Sequence, residues 1–232
     1  MEKEIKIIFE DKNILILDKW SGLVVNRSNT YKETTLQDIL EKTYPELYLN
    51  VSDQEYLSRS GLVHRLDKDT SGIVAVAKNT DTFHYLLHQF KQRKTLKEYI
   101  AVVHGEIEDE IIEIDAPLAR NPKAPLRIAV VSGGKPAFTK IEKMYSKNID
   151  GNTYTLVRVF PKTGRTHQIR IHLSSIGHPV AGDKIYCASN LLENDDIVFS
   201  RLMLHAEILG FIDPENQKFH RFKSPLPNEF KI

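Results

Sequence analysis

The chain has 232 residues, of which 41% are apolar and 27% charged, with a net charge of +1. That length allows one large domain or two small ones, the composition is that of an ordinary globular protein, and no apolar run approaches the roughly 20 residues a membrane helix needs. The first residues, Met1-Glu2-Lys3-Glu4-Ile5-Lys6, lack the apolar core of a signal peptide. The single cysteine, Cys187, excludes an internal disulfide framework and a multi-thiolate metal site, so the cytoplasm is the expected compartment.

Ile5 to Phe9 and Ile14 to Leu17 read as short strands joined at Asp11-Lys12-Asn13. Thr34 and Gln37 suggest a capping box, opening a helix with Leu36, Ile39 and Leu40 on one face. Residues 45 to 60 read as a polar connection. Ile73-Val74-Ala75-Val76-Ala77 is a buried strand. Asn79 or Thr80 caps a helix whose Phe83, Leu86, Leu87 and Phe90 form an apolar stripe. Strands are expected over Lys97 to Gly105 and over Ile107 to Ile114, followed by loops around a short strand at 116 to 136. Ala137 to Lys147 and Thr153 to Phe160 form a pair turned at Asp150-Gly151-Asn152. A helix is expected from Thr166 to Ser175, stopped by Gly177 and Pro179. Ala181-Gly182-Asp183 is a turn, Arg201 to Phe211 a strand, and a last strand follows the turn at Asp213-Pro214-Glu215-Asn216. Strands outnumber helices, and many are hairpin neighbours. The expected fold is α+β, with a mixed, largely antiparallel sheet flanked by helices. No repeat or linker breaks the chain, so residues 1–232 read as one catalytic domain.

The balanced charge argues weakly against a nucleic-acid partner, because such domains are usually basic. Local clustering argues the other way. Lys91, Arg93, Lys94 and Lys97 lie close together, as do Arg120, Lys123 and Arg127, and Arg158, Lys162, Arg165 and Arg170. The acids concentrate at Glu106 to Glu113 and Glu193 to Asp196. A surface polarised in this way can bind a polyanion.

The stretch densest in chemistry is Leu62-Val63-His64-Arg65-Leu66-Asp67-Lys68-Asp69-Thr70-Ser71-Gly72. One carboxylate, Asp67, stands between Arg65 and Lys68, and a turn then feeds the buried strand. Neighbouring cations favour the ionised carboxylate, which can serve as nucleophile or base at a sugar carbon. Tyr99 lies in Lys97-Glu98-Tyr99-Ile100-Ala101-Val102-Val103-His104-Gly105. Gly164-Arg165-Thr166-His167-Gln168-Ile169-Arg170-Ile171-His172-Leu173 places Arg170 near a helix start. His167 and His172, at i and i+5, face apart, so no metal site is expected there. There is no P-loop, dinucleotide fingerprint or Cys/His cluster in sequence.

These blocks resemble the HRLDxxTSG, K-x-Y and GRTHQIR(I/V)H motifs of the RluA-type pseudouridine synthases. Gly177-His178-Pro179-Val180-Ala181-Gly182-Asp183 with Tyr186, and Leu202-Met203-Leu204-His205-Ala206, resemble two further family segments. The resemblance runs from about residue 5 to the C-terminus. It implies isomerisation of uridine to pseudouridine in RNA, with no metal, nucleotide or redox cofactor. Asp67 is then the essential carboxylate. Tyr99 stacks on the base, Ile169 packs beneath it, and Arg170 pairs with the aspartate. Arg165 meets phosphate, for which a guanidinium is suited, and His167 lies in the same substrate-binding block. A stacked uridine must be extruded. Arg65 is then a candidate to fill the vacated space or bind a flanking phosphate, and His64 to support the loop. The carboxylate's mode of action stays open between attack at C1′, addition to the ring and removal of a proton from C2′. The pattern begins near residue 5, so the compact form without an N-terminal S4-type RNA-binding domain is expected. The expected partner is a ribosomal or transfer RNA stem-loop, and the expected state a monomer without a membrane partner. Three rivals stand beside this reading. They are an RNA-binding module of the same fold without catalysis, a carboxylate-based glycoside or nucleoside hydrolase, and a family member with another polynucleotide target.

Overall fold

A computed structural model describes residues 5–121 and 124–232. Lys123 of the second basic cluster, and the residues before Ile5, lie outside the described residues. In chain order the elements are β1 (Lys6–Glu10), β2 (Ile14–Lys19), α1 (Leu36–Thr43), a 3-10 turn (Pro45–Tyr48), α2 (Gln54–Arg59), β3 (Ser71–Ala77), α3 (Thr80–Lys91), β4 (Leu96–His104), β5 (Ile111–Asp115) and β6 (Leu118–Asn121). Then come β7 (Ala124–Val130), β8 (Phe138–Ile149), β9 (Asn152–Pro161), α4 (Gln168–Ser175), α5 (Ser189–Val198), β10 (Leu204–Ile212), β11 (Phe219–Lys223) and a 3-10 turn (Asn228–Phe230). The fold is α+β, as expected. The chain divides into two compact units, Met1–Leu96 with Ala206–Pro225, and Lys97–His205 with Leu226–Ile232.

In the first unit β1, β2, β3 and β10 lie in that order, with β11 beside β10. The β1–β2, β2–β3 and β10–β11 pairs are antiparallel. Asp11 closes the β1–β2 turn by accepting from the backbone N–H groups of Asn13 and Ile14, each at 2.7 Å. β3 is buried along its whole length, which is why it reads as an unbroken apolar run. The α1 capping box sits one residue later than expected. Thr35 accepts from the Asp38 N–H, while Asp38 bonds back to the Thr35 N–H at 2.8 Å. A reciprocal box needs an acceptor at the third helical position, and the carboxylate of Asp38 supplies it. The polar connection at 45 to 60 is in fact ordered. Asp53 caps α2 through the Tyr56 N–H, and Tyr56 is fully buried. A six-residue helix shows too little periodicity to be read in sequence.

In the second unit the order is β4, β9, β8, β5, with β6 and β7 forming a separate antiparallel hairpin. The β4–β9, β8–β9 and β5–β8 pairs are antiparallel. β5 starts at Ile111, four residues after the expected Ile107. The Ile107 N–H goes to the Thr155 hydroxyl at 3.2 Å instead of to a ladder partner. The core of this unit gathers Ile100 to Val103, Tyr154, Val157, Val159, Ile169 and Leu173.

Candidate active site

Asp67 lies in the first unit on the irregular stretch that precedes β3. The backbone around it is clamped by the last residue of β2 and the chain that follows. The Lys68 carbonyl accepts from Lys19 Nζ and from the Gly22 N–H, both at 2.9 Å, and the Ser21 hydroxyl donates to the Asp69 carbonyl at 2.7 Å. Lys19 is fully buried, and Nζ also donates to the carbonyls of Trp20 and Leu23. A buried ammonium is tolerated only when its donors are used, and here three carbonyls take them. On the other side, Gly72 has φ +115°, and a Cβ there would meet the Ala206 carbonyl oxygen at 2.2 Å. Only glycine lets β3 approach that backbone so closely.

The Asp67 carboxylate sits on this frame, partly exposed, with Leu66 buried on one side and Thr70 buried on the other. Lys68 places its ammonium over the Tyr31 ring, 5.2 Å from the centroid. His64 is structural to the loop. Its Nε2 accepts from the Ala75 N–H at 3.0 Å and its ring stacks on Phe90 at 4.8 Å. Arg65 is exposed and, among the described residues, has no hydrogen-bond or ion-pair partner.

Tyr99, Arg165, His167, Ile169 and Arg170 all belong to the second unit. Tyr99 is half-buried on β4 opposite Val159 of β9, and it packs against the core that holds Ile169. α4 begins at Gln168, two residues later than expected, because His167 takes the left-handed conformation at φ 55°. Gln168 supplies the local bonds. Its Oε1 accepts from the Thr163 hydroxyl and the Arg165 N–H, and its Nε2 donates to the Phe138 carbonyl and Thr139. Arg165 is half-exposed, with Nε donating to the Pro136 carbonyl at 3.2 Å.

Arg170 is buried. Its Nε and Nη2 donate to the two carboxylate oxygens of Asp183 at 2.6 and 2.7 Å, and its guanidinium lies 5.1 Å from the Tyr186 ring centroid. The Tyr186 hydroxyl bonds His167 Nδ1 at 2.9 Å. The third basic cluster is therefore not one solvent-facing patch. Arg158 pairs with Glu98 at 3.1 Å, Lys162 covers the Phe138 ring, and Arg170 is committed to Asp183. His172 is equally committed, with Nδ1 to the Thr139 hydroxyl at 2.8 Å and Nε2 to the Ala116 carbonyl at 3.0 Å. Burial pushes this imidazole below its ordinary pKa.

Among the described residues, His104, Cys187 and Asp195 have their ligand-type atoms within 4.8 Å of one another. Asp195 already accepts from the Gly182 N–H at 2.7 Å and the Tyr154 hydroxyl at 3.3 Å, and shares a 2.9 Å hydrogen bond with His104. Burial, ahead of the nearby carboxylates, holds the Cys187 thiol up at about 11. These bonds account for the cluster as a structural knot tying α5 to β4.

The sequence reading passed over Lys19, which no local pattern marks, and left Asp183 unassigned although its segment resembles a family block. Lys19 shows itself only once β2 and the Asp67 loop are adjacent.

The α+β fold, the Asp67 loop before β3 and the buried Arg170 of α4 are the features to set beside known proteins. The family described as RNA pseudouridylate synthase matches residues 13–175, and the chain belongs to it. It is 39% identical to "Ribosomal large subunit pseudouridine synthase D" of Nitrosomonas europaea, over 97% of this chain and 63% of that protein. An "Uncharacterized RNA pseudouridine synthase" of Aquifex aeolicus is also 39% identical, over 98% of this chain and 71% of its own length. The solved structure "Human RNA Pseudouridylate Synthase Domain Containing 1" superposes with a TM-score of 0.76 at 28% identity, covering 97% of this chain and 84% of that one. Among the described residues, no helix is long and apolar enough to cross a membrane.

Proposed function

We propose that the chain isomerises specific uridines to pseudouridine in RNA, with Asp67 as the catalytic carboxylate. The N1–C1′ bond breaks, the uracil turns, and C5 bonds to C1′. C5 gives up its hydrogen and N1 ends protonated, so the change is an isomerisation that consumes nothing. The observation that carries this reading is the Asp67 loop. Asp67 is partly exposed, while the backbone next to it is clamped at Lys68 and Asp69. Such preorganisation is what a reacting group needs.

Tyr99 is the residue we assign to stack on the base, since uracil offers chiefly a π face, with Ile169 packing beneath it. Arg170 is assigned to orient the catalytic carboxylate. Arg65, with no partner among the described residues, suits a flanking phosphate or the space left by an extruded base. Arg165 is assigned to phosphate, and His64 and His167 to holding the substrate-binding loops. The name of the Nitrosomonas relative favours ribosomal RNA of the large subunit as substrate, with transfer RNA as the second pool to test. We further propose that the enzyme works in the cytoplasm as a monomer and without a metal or organic cofactor.

The experiment is tritium release from [5-³H]uridine-labelled ribosomal and transfer RNA, in the presence of EDTA, with wild type beside Asp67→Asn. Wild type releases tritium from one pool, and Asp67→Asn lowers kcat on the order of 10⁴-fold while still binding RNA. Release by Asp67→Asn at the wild-type rate would remove Asp67 from the chemistry. Free uracil among the products would favour a hydrolase.

A further inference from the structure

We infer that Asp183 and Tyr186 are positioning residues for the reaction and act through Arg170. This rests on the functional reading above, in which Arg170 serves the catalytic step. Arg170, Asp183 and Tyr186 form a ring of contacts within the second unit, closed by the Tyr186 backbone N–H. Arg170 is 4% exposed and Asp183 1%, so the pair is out of solvent. Asp183 grips one edge of the guanidinium, Nε and Nη2. A planar group held by two parallel bonds on one edge has its other edge aimed in a single direction. The Tyr186 ring lies against the guanidinium and removes the remaining freedom to swing out of plane.

The grip is itself anchored. Asp183 Oδ1 accepts from the backbone N–H groups of Ile185 at 2.9 Å and Tyr186 at 3.1 Å. Gly182 before it has φ +70°, and a Cβ there would meet the Arg201 carbonyl oxygen at 2.2 Å. The Tyr186 hydroxyl then returns to His167, which stands just before α4 and ahead of Arg170. Each partner is fixed by backbone or by another member of the ring.

Two considerations point to orientation, not stability, as the purpose. Arg170 is the third residue of α4, where the helix dipole disfavours a cation. A buried ion pair is also a weak device for stability, because apolar residues of similar volume commonly do as well or better. What the ion pair provides, and an apolar pair does not, is a guanidinium of set direction.

The test is a double-mutant cycle on the full chain, read as kcat and KM by tritium release, with folding checked by circular dichroism. Asp183→Asn should lower kcat about 100-fold, the usual effect of small misplacement, with KM within about threefold. The double variant Asp183→Asn with Arg170→Lys should be no slower than Arg170→Lys alone, because both remove one function. Should Asp183→Asn fail to fold, Tyr186→Leu takes its place in the same cycle, with a kcat loss of about tenfold. An unchanged kcat, or losses that multiply in the double variant, would overturn the inference and leave the proposed function standing. A wild type that releases no tritium from either RNA pool would overturn the functional reading and this inference with it.

Discussion

The Asp67 loop and the Gly182–Tyr186 segment both hold a charged group in place, by opposite means. Around Asp67 the restraint acts on backbone. Lys19, Gly22 and Ser21 bind the carbonyls of Lys68 and Asp69, just after a partly exposed Asp67. Around Arg170 the restraint acts on the side chain, through Asp183 and Tyr186, and the guanidinium is buried. The difference follows from length. An aspartate has two side-chain torsions, so fixing its backbone nearly fixes its carboxylate. An arginine has a long flexible stem whose head must be held directly.

That contrast can be broken by mutation. The largest expected effect is Arg170→Met alone, which leaves Asp183 buried without its cation and should cost about 3–5 kcal/mol in urea unfolding. Pairing it with Asp183→Leu should restore stability to wild type or above, yet leave tritium release abolished. Recovery of both together would make the pair purely structural. Lys19→Met comes next. It strands the carbonyls of Trp20, Leu23 and Lys68, so a loss of about 2–3 kcal/mol is expected, accompanied by a lower kcat because the Asp67 loop loosens. Unchanged kcat in folded Lys19→Met would show that the clamp does not set the carboxylate.

Arg165→Ala should leave stability within about 0.5 kcal/mol and reduce the slope of log binding constant against log salt by about 1. A slope equal to that of wild type would take Arg165 out of the phosphate contacts. The smallest effect concerns His172. Its native pKa is pushed below the 6.5 of a free imidazole by burial, while the unfolded chain protonates near 6.5. The unfolded state therefore binds the proton first as pH falls. The stability His172 contributes is complete above pH 6.5 and declines below it, toward the native pKa. Melting temperatures measured from pH 7.5 to 5 should show this decline in wild type and a shallower one in His172→Gln.

Much of the architecture was legible from local pattern. The apolar run of β3, the Asn79 cap and apolar stripe of α3, and the Asp150-Gly151 turn between β8 and β9 are written in neighbouring residues. The candidate site was legible for a different reason, since the blocks around Asp67, Tyr99 and Arg170 carry family motifs. Short elements were not readable. α2 has six residues and no apolar period, and α5, a Ser-to-Val stretch crowded with polar side chains, offered no pattern to separate it from loop.

By itself, then, the sequence determined the residue types the chemistry needs, their order, and the α+β class, because motifs and periodicity are properties of adjacent residues. Only the tertiary structure decided which group restrains which. Lys19 meets Lys68 across 49 residues and Arg170 meets Asp183 across 13. Which backbone or side chain holds a charged group depends on burial and distance, and those exist only once the chain has folded.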